Sequence, residues 1–169
     1  MFYMKKALIA IDYNPCAKKV AEMGYEFARS MNAEVCIVHA IADISYYSME
    51  YVPLMGFEGF SPDCVFKSTD EQKLEAKRFL AAVVTHLSDS KIKTMVLNGK
   101  TSKVILEFAE GYKADLIVMG THSHNAFEKT MGDVTARLIK HTKIPVLVIP
   151  TDSKDLHLSG KTDEVLQYI

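Results

Sequence analysis

The chain has 169 residues, 49% of them hydrophobic, and sets 20 Lys+Arg against 21 Asp+Glu for a net charge of -1. That length gives one domain with a sizeable core, and the charge balance offers neither the basic excess of a nucleic-acid binder nor an acidic tail for a polycation. Cys16, Cys36 and Cys64 form no CxxC and no metal-ligand spacing; an odd number without a secretory leader fits reduced thiols in a cytoplasm. The opening MFYMKKALIAI reads as the approach to a strand rather than a signal, and no apolar run reaches membrane-spanning length.

Residues 7–11 are continuously apolar, the pattern of a strand buried on both faces, and Asp12 ends the run. Tyr13-Asn14-Pro15 is turn chemistry, which predicts Asn14 as a helix N-cap and Pro15 as the first helical residue. Val20, Met23, Gly24, Phe27, Ala28 and Met31 then recur at three- and four-residue spacing, the stripe of an amphipathic helix. Residues 34–39 form the next strand, completing a βαβ crossover. Residues 42–67 break the rhythm with Tyr46, Tyr47, Tyr51, Phe57, Phe60 and Phe66 among prolines and glycines. A loop of that length is functional or disordered, and its rings argue against full disorder. It reads as a lid over the sheet edge, or more sharply as a cover for a ligand crevice or a partner surface. Ser68-Thr69-Asp70 caps a helix to about Ser88, with Ala76, Leu80, Val83, Val84 and Leu87 facing inward. Residues 93–97 make the third strand. Thr101 or Ser102 caps the following helix, which runs to Tyr112 with Val104, Ile105, Phe108 and Ala109 inward.

Residues 114–150 hold the stretch that organises the rest. It opens with ADLIVMG, continues through the polar THSHNAFEKT, starts an amphipathic helix at Met131-Gly132-Asp133, and closes with IPVLVIP. This is strand, glycine-bearing loop, helix, strand. A glycine leaving a parallel strand lets a ligand approach the backbone closely, and a helix N-terminus facing the same crevice favours an anion. A phosphate-bearing ligand between Gly120 and residues 132–134 follows as the site expectation.

At these residues the chain resembles a known family. MGTHSH, MGDV and IKHTKIPVLVIP resemble the C-terminal signature of the universal stress protein family, and KKALIAIDYN with EVCIVHAI resembles its N-terminal half, together spanning residues 5–151. The resemblance implies an α/β fold of the adenine nucleotide alpha hydrolase-like kind: an open five-stranded parallel sheet in order 3-2-1-4-5 with helices on both faces. Residues 152–169 would be a docking or disordered tail. The implied function is a cytoplasmic stress-response regulator or sensor that binds ATP or AMP, with Mg²⁺ as an optional companion, where the first and fourth strands lie side by side. Carried over residue by residue, Ala10, Ile11 and Asp12 would contact base and ribose. Ala40 or Ile41 would wall the adenine slot, and Met119 and Gly120 would line its floor. His122, Ser123, Gly132, Asp133, Val134 and Thr135 would form the phosphate loop and helix start. Core packing is the competing explanation for each apolar member. The resemblance also implies a homodimer, in which the apolar edge strand from Pro145 to Pro150 pairs antiparallel with its copy. The rival from another class is a dimeric interaction module that binds no nucleotide.

The phosphate loop departs from the family's nucleotide-binding branch, which has G-x-x-G, a longer spacer, and then glycine followed by Ser or Thr. Here Ser123 stands at the second glycine, residues 124–131 form the spacer, and Asp133 replaces the hydroxyl residue. Asp133 could serve as an ordinary N-cap, repel phosphate, or recruit Mg²⁺ that bridges to phosphate. A carboxylate about 4 Å from one phosphate charge costs about 4 kcal/mol at an effective dielectric near 20, against about 1.5–3 kcal/mol for one charge-assisted hydrogen bond. His122, His124 and His39 could suggest zinc, but no third ligand is anchored by spacing. The chain has no SGGxDS loop, no HIGH-like tetrad and no GxxxxGK[ST], so slow ATP hydrolysis or nucleotidyl transfer lacks its usual parts.

Overall fold

The longest apolar runs become the middle of a sheet. In the computed structural model, which describes residues 4–13, 16–41, 69–121 and 132–151, β1 (Lys6–Ala10) is buried from Ala7 onward and β4 (Leu116–Gly120) throughout. Side chains alternate across a strand, so unbroken burial means cover on both faces. One face is covered by α1 (Ala17–Ser30) and α2 (Thr69–Leu87), the other by α3 (Thr101–Tyr112) and α4 (Asp133–His141). With β2 (Glu34–Ile41), β3 (Lys93–Asn98) and β5 (Val146–Ile149), the sheet is five-stranded and all parallel, in the expected order β3-β2-β1-β4-β5. The register sets Ile9 beside Val118 on the α1 face and Leu8 beside Ile117 on the α3–α4 face. Each such side chain contributes about 1.5–3 kcal/mol on full burial.

Where helices begin and which side they bury differ from the sequence expectations. The N-cap of α1 is Cys16, whose carbonyl accepts the Val20 N–H at 3.1 Å; Asn14 and Pro15 lie outside the described residues, as do residues 42–67, Cys64 and residues 152–169. The buried stripe of α1 is Ala17, Val20, Ala21, Gly24 and Ala28. Met23 and Phe27, expected inside, are 44% and 41% exposed. At about 100° per residue the stripe is centred between Gly24 and Ala28, which puts Phe27 on its flank and Met23 beyond it. The opposite flank faces α2: Glu22 meets His86 at 2.6 Å and Tyr25 donates to Asp89 at 2.8 Å. α1 stops in a Schellman arrangement with Asn32 left-handed (φ 54°), Asn32 N–H bonding Arg29 and Ala33 N–H bonding Ala28. The N-cap of α3 is Lys100, not Thr101 or Ser102, and that of α4 is Gly132, so Asp133 is the first helical residue rather than the cap.

The amino ends of the strands are tied together by polar groups. The Asp115 carboxylate accepts the Lys5 and Lys6 N–H groups at 2.8 and 3.0 Å, joining β1 to β4. Lys6 Nζ donates to the Tyr112 carbonyl at 3.2 Å and sits 4.8 Å over the Tyr112 ring. Glu34 accepts from Lys93 Nζ at 2.7 Å and from the Tyr112 hydroxyl at 2.8 Å, linking β2, β3 and α3. Burial first, and then the Glu34 hydrogen bond, push the Tyr112 hydroxyl upward.

Two outcomes test this packing. A Cβ on Gly24 would lie 2.9 Å from Val118 Cγ1 and 3.2 Å from Ile9 Cδ1, both in the core. Gly24→Ala should change stability by under about 1 kcal/mol, because helix propensity offsets the crowding. Gly24→Leu should cost at least about 2 kcal/mol, read as the shift in urea midpoint at constant slope. The Lys93 and Tyr112 hydrogen bonds, in that order, hold the Glu34 carboxyl below its ordinary 4.5. A lowered folded-state value means stability that is complete above 4.5 and is lost as pH falls through the folded value. Glu34→Gln should therefore flatten the loss of stability in that acid range; an unchanged acid profile would remove Glu34 from the account.

Candidate functional site

Parallel strands present all their carboxyl ends on one edge, and a crevice opens where neighbouring strands send their chains to opposite faces. β1 feeds α1 on one face, while β4 and α4 meet on the other. The cleft found there is about 130 Å³ and is lined by Ala10, Ile11, Asp12, Ala40, Thr101, Ile105, Met119, Gly120, Gly132, Asp133, Val134 and Thr135. That volume is below the about 300–1,000 Å³ of most ligand pockets. A larger hollow of about 400 Å³ lies between α2 and β3, lined by Lys73, Lys77, Leu80, Thr94, Met95 and Val96. It flanks an edge strand away from the strand ends, with both lysines on α2.

Ten of the sequence-derived site residues therefore meet in one place: Ala10, Ile11, Asp12, Ala40, Met119, Gly120, Gly132, Asp133, Val134 and Thr135. Ile41 does not line the cleft; it is 9% exposed, and its carbonyl accepts the Gly99 N–H at 3.0 Å. His122 and Ser123 lie outside the described residues, as does His124. Thr101 and Ile105 line the cleft without having been singled out as site residues. The signal for them was topological, because α3 follows β3 and must begin at the same carboxyl edge.

The polar groups divide into those already engaged and those open to a ligand. Thr135, 3% exposed, donates its hydroxyl to the Gly120 carbonyl at 2.9 Å, so it ties α4 to the end of β4. Gly132 N–H donates to the Thr121 carbonyl at 3.2 Å. The N–H groups of Asp133, Val134 and Thr135 sit in the first turn, where no intrahelical acceptor exists, and can receive an anion. The Asp133 side chain is exposed. Its repulsion of a phosphate is accordingly nearer the about 1 kcal/mol of two charges 4 Å apart in water than the about 4 kcal/mol of a semi-buried pair.

Behind Asp12 stands His39, 4% exposed, with Nδ1 3.0 Å from the Ile11 carbonyl. A carbonyl only accepts, so Nδ1 carries the proton. The ring packs against Tyr13 at 4.3 Å and Phe79 at 5.7 Å between centroids. Burial lowers the His39 pKa, with the Ile11 hydrogen bond and the Asp12 charge opposing it. A neutral His39 thus fixes the backbone that presents Asp12. Cys36 is buried and pushed up to about 11 by desolvation, which leaves it an unreactive thiol. Among the described residues, no group of three or more His, Cys, Asp or Glu is placed to hold a metal.

Comparison with known proteins agrees with this geometry. The universal stress protein family profile matches residues 4–150. A universal stress protein of Methanocaldococcus jannaschii is 32% identical over 154 residues, covering 89% of this chain and 85% of its own. A universal stress protein solved in complex with cAMP aligns at a TM-score of 0.61 and 15% identity, over 89% of this chain and 100% of that one. One from Archaeoglobus fulgidus in complex with dAMP aligns at 0.59 and 20% identity, over 88% and 99%. These two structures show a shared fold, the open parallel sheet with helices on both faces. The chain belongs to the universal stress protein family.

Proposed function

We propose that this protein is a cytoplasmic stress-response regulator that binds an adenine nucleotide, AMP in preference to metal-free ATP, in the cleft between the ends of β1 and β4. The observation that carries the reading is the meeting of an apolar slot (Ala10, Ala40, Ile105, Met119) with the open N–H groups at the start of α4. A base suits the first and a phosphate the second. Relatives in complex with cAMP and dAMP, both monophosphates, support it. Among the described residues no helix is long and apolar enough to cross a membrane. Residues 5–151 constitute the binding domain, and residues 152–169 an appended tail.

The protein acts as a dimer in this reading. Among the described residues β5 ends the sheet beside β4, and Val146, Leu147 and Val148 are only partly buried. Leu147 and Ile149 pack on the α1–α2 face and Val146 on the other. An apolar edge of this kind invites antiparallel pairing with a second copy. Sedimentation at micromolar concentration should show a dimer for the native chain and a monomer for Val148→Lys; a native monomer would end the dimer proposal.

Mass spectrometry of the denatured, purified protein tests ligand content directly. Calorimetry tests selectivity. Without metal, AMP should bind more tightly than ATP, and Asp133→Ser should tighten ATP about five- to tenfold while changing AMP less, since each further phosphate adds charge near the carboxylate. If Asp133 instead holds a bridging Mg²⁺, the same variant weakens Mg-ATP. Absence of binding by any adenine nucleotide at millimolar concentration would leave the dimeric interaction module in its place.

A further inference from the structure

The nucleotide reading leaves the base without a named polar contact on the α3 side. We infer that Thr101 is that contact, a specificity-determining residue whose hydroxyl meets the edge of the base, with Ile105 one turn behind it closing the slot. The inference rests on the nucleotide reading and adds to it.

The slot exists because side chains shorten at the strand ends. On the face toward α3, β1 runs from Leu8 to Ala10 and β2 from Val38 to Ala40. Those two alanines leave a gap that Ile105, 3% exposed, closes from the helix and Met119, 5% exposed, closes from β4. The first turn of α3 is held over this gap. Gly99 takes a left-handed φ of 128° that favours glycine, and its N–H bonds the Ile41 carbonyl at 3.0 Å. The loop after β3 is therefore pinned to the end of β2.

The side-chain chemistry of the lining then assigns roles. Thr135 has its hydroxyl engaged on the Gly120 carbonyl. Asp12, a pure acceptor, suits the hydroxyl donors of a ribose, and Asp133 stands at the phosphate end. Thr101 lines the cleft and is half-buried, its helix is capped at Lys100 without a side-chain bond, and its hydroxyl makes no hydrogen bond among the described residues. A neutral hydroxyl between apolar walls matches a ring nitrogen or amino group, to which it can donate or from which it can accept. Among the described residues a phosphate here would meet no positive charge in the lining and two carboxylates instead.

Calorimetry of the full chain with adenosine, AMP and ATP tests this. Thr101→Val keeps the shape and removes the hydroxyl. It should weaken all three ligands by the same factor, about fivefold for one neutral hydrogen bond. Thr101→Ser should stay within about twofold of the native chain, and melting temperatures of both variants should match it. A loss that grows with phosphate number, or no loss in Thr101→Val, overturns the inference and leaves the nucleotide reading standing. No binding of any of the three by the native chain overturns both.

Discussion

The carboxyl ends of β1 and β4 lie side by side in one sheet, yet the helices they lead to pack on opposite faces. A sheet cannot close over its own edge at such a point, because no connection crosses it. The rest of the structure accommodates this divergence. α1 packs so close on Ile9 and Val118 that a Cβ on Gly24 would lie 2.9 Å from Val118 Cγ1. α4 is fixed by the bond from Thr135 to Gly120, and the end of β1 by the bond from His39 to Ile11. These constraints hold the walls of the cleft.

The two edges of the sheet are chemically unlike. At the amino edge, Asp115, Glu34, Lys93, Lys6 and Tyr112 satisfy one another, and their hydrogen bonds join β1, β2, β3, α3 and the start of β4. At the carboxyl edge, the first turn of α4 offers backbone donors that no helix can use internally. A ligand at the carboxyl edge would complete what the fold leaves open.

Charge at the cleft is acidic among the described residues. Among the described residues the cleft lining carries two carboxylates, Asp12 and Asp133, and no lysine or arginine. Attraction for an anion comes from backbone N–H groups and the α4 dipole, terms of about 0.3–1 kcal/mol each near a helix end. In the nucleotide reading proposed above, such a lining favours a ligand of low charge.

The sequence by itself determined the sheet. Unbroken apolar runs at residues 7–10 and 116–119 admit only strands covered on both faces, and the glycines and carboxylates that end or follow them mark the edge where the chain turns. The family motifs then supplied strand order and ten of the cleft residues. Rotation and reach were decided only in three dimensions. Apolar spacing alone did not separate the stripe of α1 from its flank, so Met23 and Phe27 read as core until the packing of α1 between sheet and α2 showed otherwise. Thr101 read as a cap because a hydroxyl before an apolar run is ordinary helix-start chemistry. Its place in the cleft came from β3 being carried beside β2, a pairing between residues far apart in the chain that local sequence does not encode.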